Sequence, residues 1–409
     1  MPLSVLSLTL GIFALVTTEI LPVGLLTSLG SDFAVSDGMA GLTMTMPGLL
    51  AAPAAPLLTV ATARADRRRV LCAFMALLTL ANVLVAVADA YWLVLVSRVL
   101  VGVTIGGFWS VAAGLAGRLV PARSAGRATA VIFSAVPLGS VLGVPAGTFL
   151  GDLAGWRTAF AAMAVLSAGV LALMLLVLPP LPPPAETTRP AVLRALVRRR
   201  GTRLALLVTF LVVLAHFGTY TYVGPFLERV TRMGPGSVTL CLLAYGVAGV
   251  CGNFAGGWAV VRHPRAVFGA AAGTTGGALL LLPLLGGNAG GAAALLAVWG
   301  FAYGAVPVAS QRWFANAAPG APEAASVLFT ASFQATISLG ALAGGAVVDA
   351  SSPPALMAAG GAVAVLALAV IALPAAATRP PAGAARGSGP PGPRSAPGSG
   401  ARDRTAAGG

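Results

Sequence analysis

The chain has 409 residues, 57% hydrophobic and 9% charged, with a mean hydropathy of +0.91. A soluble globular domain carries about 25% charge, so an ordinary cytosolic enzyme is excluded. The net charge is +14, yet the 25 basic residues, all arginine, are scattered between apolar runs and build no continuous phosphate-binding face, which excludes a nucleic-acid-binding protein. Cys72, Cys241 and Cys251 stand in apolar runs without ligand spacing and read as buried thiols, with no metal site.

A run of about 20 apolar residues crosses the hydrocarbon core as a helix. Twelve such runs are predicted. The first six are 4–26, 38–61, 70–88, 91–116, 127–150 and 158–178. After a polar break come 204–226, 237–260, 266–285, 291–312, 323–346 and 355–376. The first run reads as a span and not a cleaved signal, because it is long, lacks a basic leader and is followed by further spans.

Arginine placement sets the orientation. With both termini in the cytoplasm, 21 of the 25 arginines fall on the inner side. Three lie outside (Arg157, Arg229 and Arg232) and Arg98 lies inside a span. The acids Asp32, Asp37, Asp89, Asp152, Glu228 and Asp349 fall in outer connections.

Residues 179–203 form the one long inner connection. It opens with the Pro-rich stretch Pro179 to Pro184 and continues with an arginine-rich segment suited to the anionic inner leaflet. The expected organisation is an N-terminal six-helix bundle (1–178), a cytoplasmic linker (179–203), a C-terminal six-helix bundle (204–376) and a disordered cytoplasmic tail (377–409) of Gly, Pro, Ser, Ala and Arg. The halves echo each other: a basic inner turn, Arg64 to Arg69, follows span 2, and another, Arg262 to Arg265, follows span 8. The expected fold is an all-α membrane protein of 12 transmembrane helices in two pseudo-symmetric six-helix bundles, with a site between them at mid-membrane.

Five short motifs occur in order, each at its own span. Thr18-Glu19-Ile20-Leu21-Pro22-Val23-Gly24 lies in span 1. Asp66-Arg67-Arg68-Arg69 follows span 2. Arg98-x-x-x-Gly102 lies in span 4. Gly139-x-x-x-Gly143-x-Pro145-x-Gly147 lies in span 5. Gly155-Trp156-Arg157 leads into span 6. Over residues 4–376 the chain resembles major facilitator superfamily transporters, in particular the twelve-span drug:proton antiporter and arabinose-efflux-permease-like group. It departs from that group's turn motif in having Thr62 or Ala63 where a Gly usually opens it, and no Gly between Asp66 and Arg69. The resemblance implies secondary active transport by alternating access: proton-coupled export of a small drug-like or sugar-like molecule. It implies a monomer in the plasma membrane, no cofactor beyond the proton gradient and no enzymatic reaction. Metabolite uptake on the same fold and a non-transporting membrane sensor are the alternatives.

Glu19 is the one acid well inside a predicted span. An ionisable group in hydrocarbon is costly and marks function by default. Glu19 and Arg98 each lie about 7 residues from the outer end of a span, so roughly 10 Å deep. Opposite charges at matched depth suggest an ion pair that proton binding would break, or a static pair that fixes packing. Gly139, Gly143 and Gly147 recur every four residues and so share a helix face. With Pro145 they suggest a bendable, closely packed helix at the seam between halves; the resemblance adds a gating role, shared with Gly102. Asp66 with Arg67, Arg68 and Arg69 suggests a helix cap or a topology signal. In the second half His216, Tyr220, Asn253 and Gln334 are candidate cavity residues, His216 and Tyr220 on one face by their i,i+4 spacing. No phosphate-binding loop or metal-ligand motif stands in the chain.

Overall fold

The computed structural model describes residues 3–62, 64–112, 115–182, 195–260, 262–317 and 322–372. The middle of the expected linker (183–194), the end of the last predicted span and the expected tail (377–409) lie outside the described residues. Those up to Ala372 pack as one compact unit.

The described secondary structure is helical. The first half contains α1 (Leu3–Gly24), α2 (Leu26–Asp32), α3 (Asp37–Ala61), α4 (Arg67–Ala86), α5 (Tyr91–Ala112), α6 (Ala116–Leu119), α7 (Ala125–Ala154) and α8 (Trp156–Val177). The second contains α9 (Arg200–Tyr220), α10 (Val223–Arg229), α11 (Pro235–Val260), α12 (Pro264–Leu285), α13 (Ala289–Gly304), α14 (Val306–Ala317), α15 (Pro322–Ala350) and α16 (Pro353–Ala372). Among the described residues, 11 helices are long and apolar enough to cross a membrane, α13 and α14 together counting as one. The 25-residue α3 stands in sequence as the second span and completes twelve.

Local chemistry sets the helix starts. Ser36 caps α3 by accepting the Met39 N–H at 3.1 Å, and Asn288 caps α13 by accepting that of Gly291 at 2.8 Å. Prolines open α11, α12, α15 and α16, where the missing N–H costs no helix bond. Gly155, at φ +84°, supplies the left-handed turn between α7 and α8 that a side chain would strain.

Helix pairing repeats between the halves. In the first, α1 packs on α7, α3 on α5 and α4 on α8. In the second, α9 packs on α15, α11 on α13 and α12 on α16. These are spans 1·5, 2·4 and 3·6 and their counterparts 7·11, 8·10 and 9·12. The seam has the same symmetry: α3 meets α15 and α7 meets α11. One apolar core, including Leu8, Ile12, Met75, Phe108 and Phe160, serves the first bundle. A second, including Val212, Phe226, Phe268, Leu296 and Trp299, serves the other and takes in Val23, Met44 and Val144 across the seam.

Two predicted spans are shorter than expected. The run 4–26 breaks at Leu25 and the run 204–226 breaks at Thr221–Tyr222, each followed by a seven-residue helix. Both short helices are followed by a residue in the left-handed region, Ala34 (φ 50°) and Arg232 (φ 58°), so the break belongs to the repeat. Cys72 and Cys241 are buried as expected; Cys251 is exposed on α11.

Candidate transport site

Glu19 sits on α1 with 9% of its surface exposed. Its Oε1 accepts a hydrogen bond of 3.1 Å from Gln334 Nε2, on α15 of the other bundle. Gln334 is equally buried, and its own Oε1 has no partner among the described residues.

Arg98 is fully buried on α5. The expected direct Glu19–Arg98 ion pair is not formed. Arg98 Nη1 instead donates to the Thr18 carbonyl at 3.0 Å, and its guanidinium carbon lies 5.2 Å from the centre of the Phe160 ring. Its Nε and Nη2 have no hydrogen-bond partner among the described residues. Glu19 is thus turned toward the seam while Arg98 stays inside its bundle. Asn82, which the sequence reading passed over, anchors the same stretch: its Nδ2 donates to Thr18 Oγ1 and to the Leu78 carbonyl, both at 3.1 Å.

In the second bundle His216 and Tyr220 do share a face. Around them gather Tyr245 of α11 and Trp299 and Tyr303 of α13. Tyr303 stacks on His216 at a centroid distance of 3.3 Å, and Tyr220 is nearly parallel to His216 at 5.2 Å. Trp299 Nε1 donates to His216 Nδ1 at 3.1 Å. An indole N–H only donates, so Nδ1 is the bare nitrogen and Nε2 carries the proton, facing the Tyr245 hydroxyl at 3.4 Å. His216 is therefore the organising element of a buried aromatic cluster. The Tyr303 hydroxyl is buried without a partner. Asn253 stands eight residues beyond Tyr245 on α11, about 12 Å along the axis, and so apart from this group.

The glycine face of α7 does not lie at the seam. A Cβ at Gly139 would come 3.1 Å from Val16, and one at Gly143 would come 3.1 Å from Thr17; one at Gly147 would collide with Leu21. All three neighbours belong to α1 of the same bundle. The opposite face of α7 makes the seam. Val141 abuts Gly246, and Thr148 accepts a 3.0 Å bond from Thr239. Helical geometry explains the difference: residue 141 projects about 200° from residue 139. Pro145 is buried in a helix that runs unbroken past it. Gly102 lets α5 approach the Pro47 carbonyl of α3.

Asp66 caps α4, accepting the Arg68 N–H at 2.8 Å. It also accepts the Leu181 N–H at 3.2 Å, while the Arg67 N–H donates to the Leu181 carbonyl at 2.8 Å. Arg67 Nη1 donates to the Thr62 carbonyl at 3.1 Å. The start of the linker is thus clipped to the turn after α3. Burial pushes the Asp66 carboxyl upward, but the backbone N–H groups of Arg68 and Leu181 and the nearby Arg69 charge outweigh it and hold it below the usual aspartate range.

The arginine-poor end, expected to face outward, carries a feature that the sequence reading did not find. Arg229 of α10 holds Asp37 of α3 with both nitrogens, at 2.5 and 2.9 Å. Asp349, at the end of α15, accepts the Ser36 hydroxyl at 2.6 Å and the Gly38 N–H at 2.9 Å. The N-terminus of α3 is thus bound to the second bundle by two carboxylate contacts. Nearby, Arg157 pairs with Asp32 at 2.7 Å and donates to the Ala88 carbonyl at 2.8 Å.

The family model of the Major Facilitator Superfamily matches residues 8–327. The chain is 32% identical over 348 residues to the purine ribonucleoside efflux pump NepI of Escherichia coli, and likewise to that of Shigella flexneri; the match covers 85% of this chain and 87% of the relative. Its fold is similar to that of a bacterial homologue of the human lysosomal transporter Spinster in an inward-facing, occupied conformation, with a TM-score of 0.72 and 18% identity over 90% of this chain and 95% of that one. It is similar too to a POT family transporter in complex with a thioalcohol-conjugated peptide, with a TM-score of 0.75 and 10% identity over 90% and 95% of the two chains. Eleven membrane-length helices among the described residues, with α3 as a further span, and this family match lead to one conclusion: the chain belongs to the major facilitator superfamily and is a membrane transporter.

Proposed function

We propose that the protein exports a flat, hydroxyl-bearing small molecule of the purine ribonucleoside type in exchange for protons, from the cytoplasm across the plasma membrane. The observation that carries the coupling is the Gln334–Glu19 hydrogen bond, which joins the intramembrane acid of one bundle to a buried amide of the other. The arginine bias supports cytoplasmic termini. The relatives' activity supports the substrate class.

In the proposed cycle Glu19 exchanges partners. With the outer contacts formed, its carboxyl faces Gln334 at the seam. When the bundles part on the outer side this bond is lost, and Arg98, whose Nε and Nη2 have no partner among the described residues, is the alternative partner in the same bundle. Proton binding to Glu19 from outside frees Arg98 and favours return. The proton leaves inside as substrate enters. α7, gripped by α1 through its glycines and meeting α11 on its other face, carries the rocking motion.

Reconstituted liposomes with an imposed proton gradient test this. Addition of inosine, adenosine or guanosine is expected to produce a proton flux that Glu19→Gln abolishes. Uptake of substrate without proton movement would overturn the exchange. Saturable binding with no transport would favour a sensor.

A further inference from the structure

We propose that the inner ends of α9, α12 and α14 form a binding site for the phosphate headgroup of an anionic lipid of the cytoplasmic leaflet. The inference does not depend on the transported substrate; it rests on the arginine-set orientation. A cavity of about 250 Å³ opens there, lined by Gly201, Pro264, Arg265, Trp313 and Asn316. It lies where α9 and α12 begin.

Two observations converge on an anion. Neither helix start is neutralised from within. The residue before α9 is Arg199 and the one before α12 is His263, and neither side chain caps its helix. Among the described residues no side chain caps the free first-turn N–H groups, which stand at the positive ends of both helix dipoles.

The charges at these starts have the wrong sign for the helices. Basic residues are unfavourable at a helix N-terminus. Yet Arg200 and Arg203 sit in the first turn of α9 and Arg265 in that of α12, all exposed. None forms an ion pair among the described residues, whose two ion pairs both lie at the other end of the molecule. An external anion resolves this accumulation, because it meets the dipoles and the side chains together.

The cavity also has the character of a membrane interface. Trp313 is nearly buried, and the Arg265 guanidinium carbon lies 5.9 Å from the centre of its ring. Tryptophan concentrates at the headgroup level of the bilayer, and basic pockets between spanning helices on the cytoplasmic side suit anionic headgroups. A bilayer lipid brings its phosphate to this depth with its chains along the helices. Charge complementarity and depth together commit the site to a lipid.

The test uses the full chain, purified in detergent with mixed phosphatidylglycerol and phosphatidylcholine and examined by native mass spectrometry. Wild type is expected to retain phosphatidylglycerol preferentially. Arg265→Ala is expected to weaken that retention about fivefold, and Arg200→Ala with Arg203→Ala to weaken it further. Arg123→Ala, an exposed arginine of the first bundle, is expected to leave it unchanged. Asn316→Asp places a repelling charge in the cavity without touching either helix start, so it reads the site even if the arginine variants fold poorly. Equal retention of both lipids would overturn the proposal, as would variants that retain phosphatidylglycerol like wild type. Displacement of the lipid by millimolar inorganic phosphate would overturn it in favour of a soluble phosphate.

Discussion

Gln334 donates to Glu19 across 315 positions of sequence, and this bond links the two bundles at the depth of the one carboxyl inside the first. Its strength depends on the carboxyl's charge, because hydrogen bonds to ionised acceptors are about twice as strong as neutral ones. Gln334→Ala is therefore expected to keep proton exchange but to alter its rate, by weakening the state with the outer side sealed. A Gln334→Glu variant sets two carboxyls together and should shift the pH dependence of exchange. Flux measurements from pH 5 to 8 on both variants check this. If Gln334→Ala abolished exchange as Glu19→Gln does, Gln334 would belong to the proton path itself.

The outer contacts make a second prediction. Arg229 and Asp37 belong to different bundles, and Arg229 is about half exposed, so the pair alone is worth about 0–1 kcal/mol. Asp349 adds charge-assisted bonds at the α3 N-terminus, where an anion is also favoured by the helix dipole. Arg229→Ala combined with Asp349→Ala should shift the population toward an outside-open state. Cysteines placed at Asp37 and Arg229 should crosslink in wild-type background and trap the outer side closed, stopping transport until reduced. Crosslinking without loss of transport would show that this end does not part.

His216 gives the third prediction. Its Nδ1 is occupied by the Trp299 N–H, and Tyr303 covers its ring at 3.3 Å. His216 is therefore expected to position aromatic groups, with the proposed proton exchange left to Glu19. His216→Gln is expected to preserve the proton-to-substrate ratio while raising the substrate concentration needed for half-maximal flux. Trp299→Phe leaves a buried acceptor unsatisfied, at a cost of about 1–3 kcal/mol of stability. Loss of coupling in His216→Gln with Glu19 intact would place the proton on the histidine.

The spans were legible because hydrocarbon imposes a length and a composition that few other environments demand. Glu19 and Arg98 were legible for the same reason, as charges that ought not to be there. Their partners were not. Gln334 looks like any polar residue on an apolar helix until two bundles are packed together. Asp37, Arg229 and Asp349 read as outer-loop charges, and only tertiary approach turns them into contacts across the seam. The four-residue glycine spacing of α7 marks a face open to close approach, but its neighbour, α1 in the same bundle and not a helix across the seam, is not encoded in that spacing. The breaks at Leu25 and Thr221 fell inside apolar runs, where hydropathy gives no sign of a turn.

The Asp66 clip separates two roles that one residue performs. Asp66 caps α4 through the Arg68 N–H and holds the linker through the Leu181 N–H. Asparagine also caps helices, so Asp66→Asn should keep the cap and weaken only the clip. Asp66→Ala should lose both and cost about 1 kcal/mol more. The clip's contribution depends on pH with a definite sign. The folded carboxyl is held below its ordinary value, so its stabilisation is complete above the unfolded value of about 4 and is lost as pH falls through the folded one. Thermal unfolding of wild type and Asp66→Asn should therefore differ by a constant amount between pH 5 and 8 and converge in more acid solution. A gap that widens on acidification would mean that the carboxyl is held above its ordinary value and that the clip does not favour the charged form.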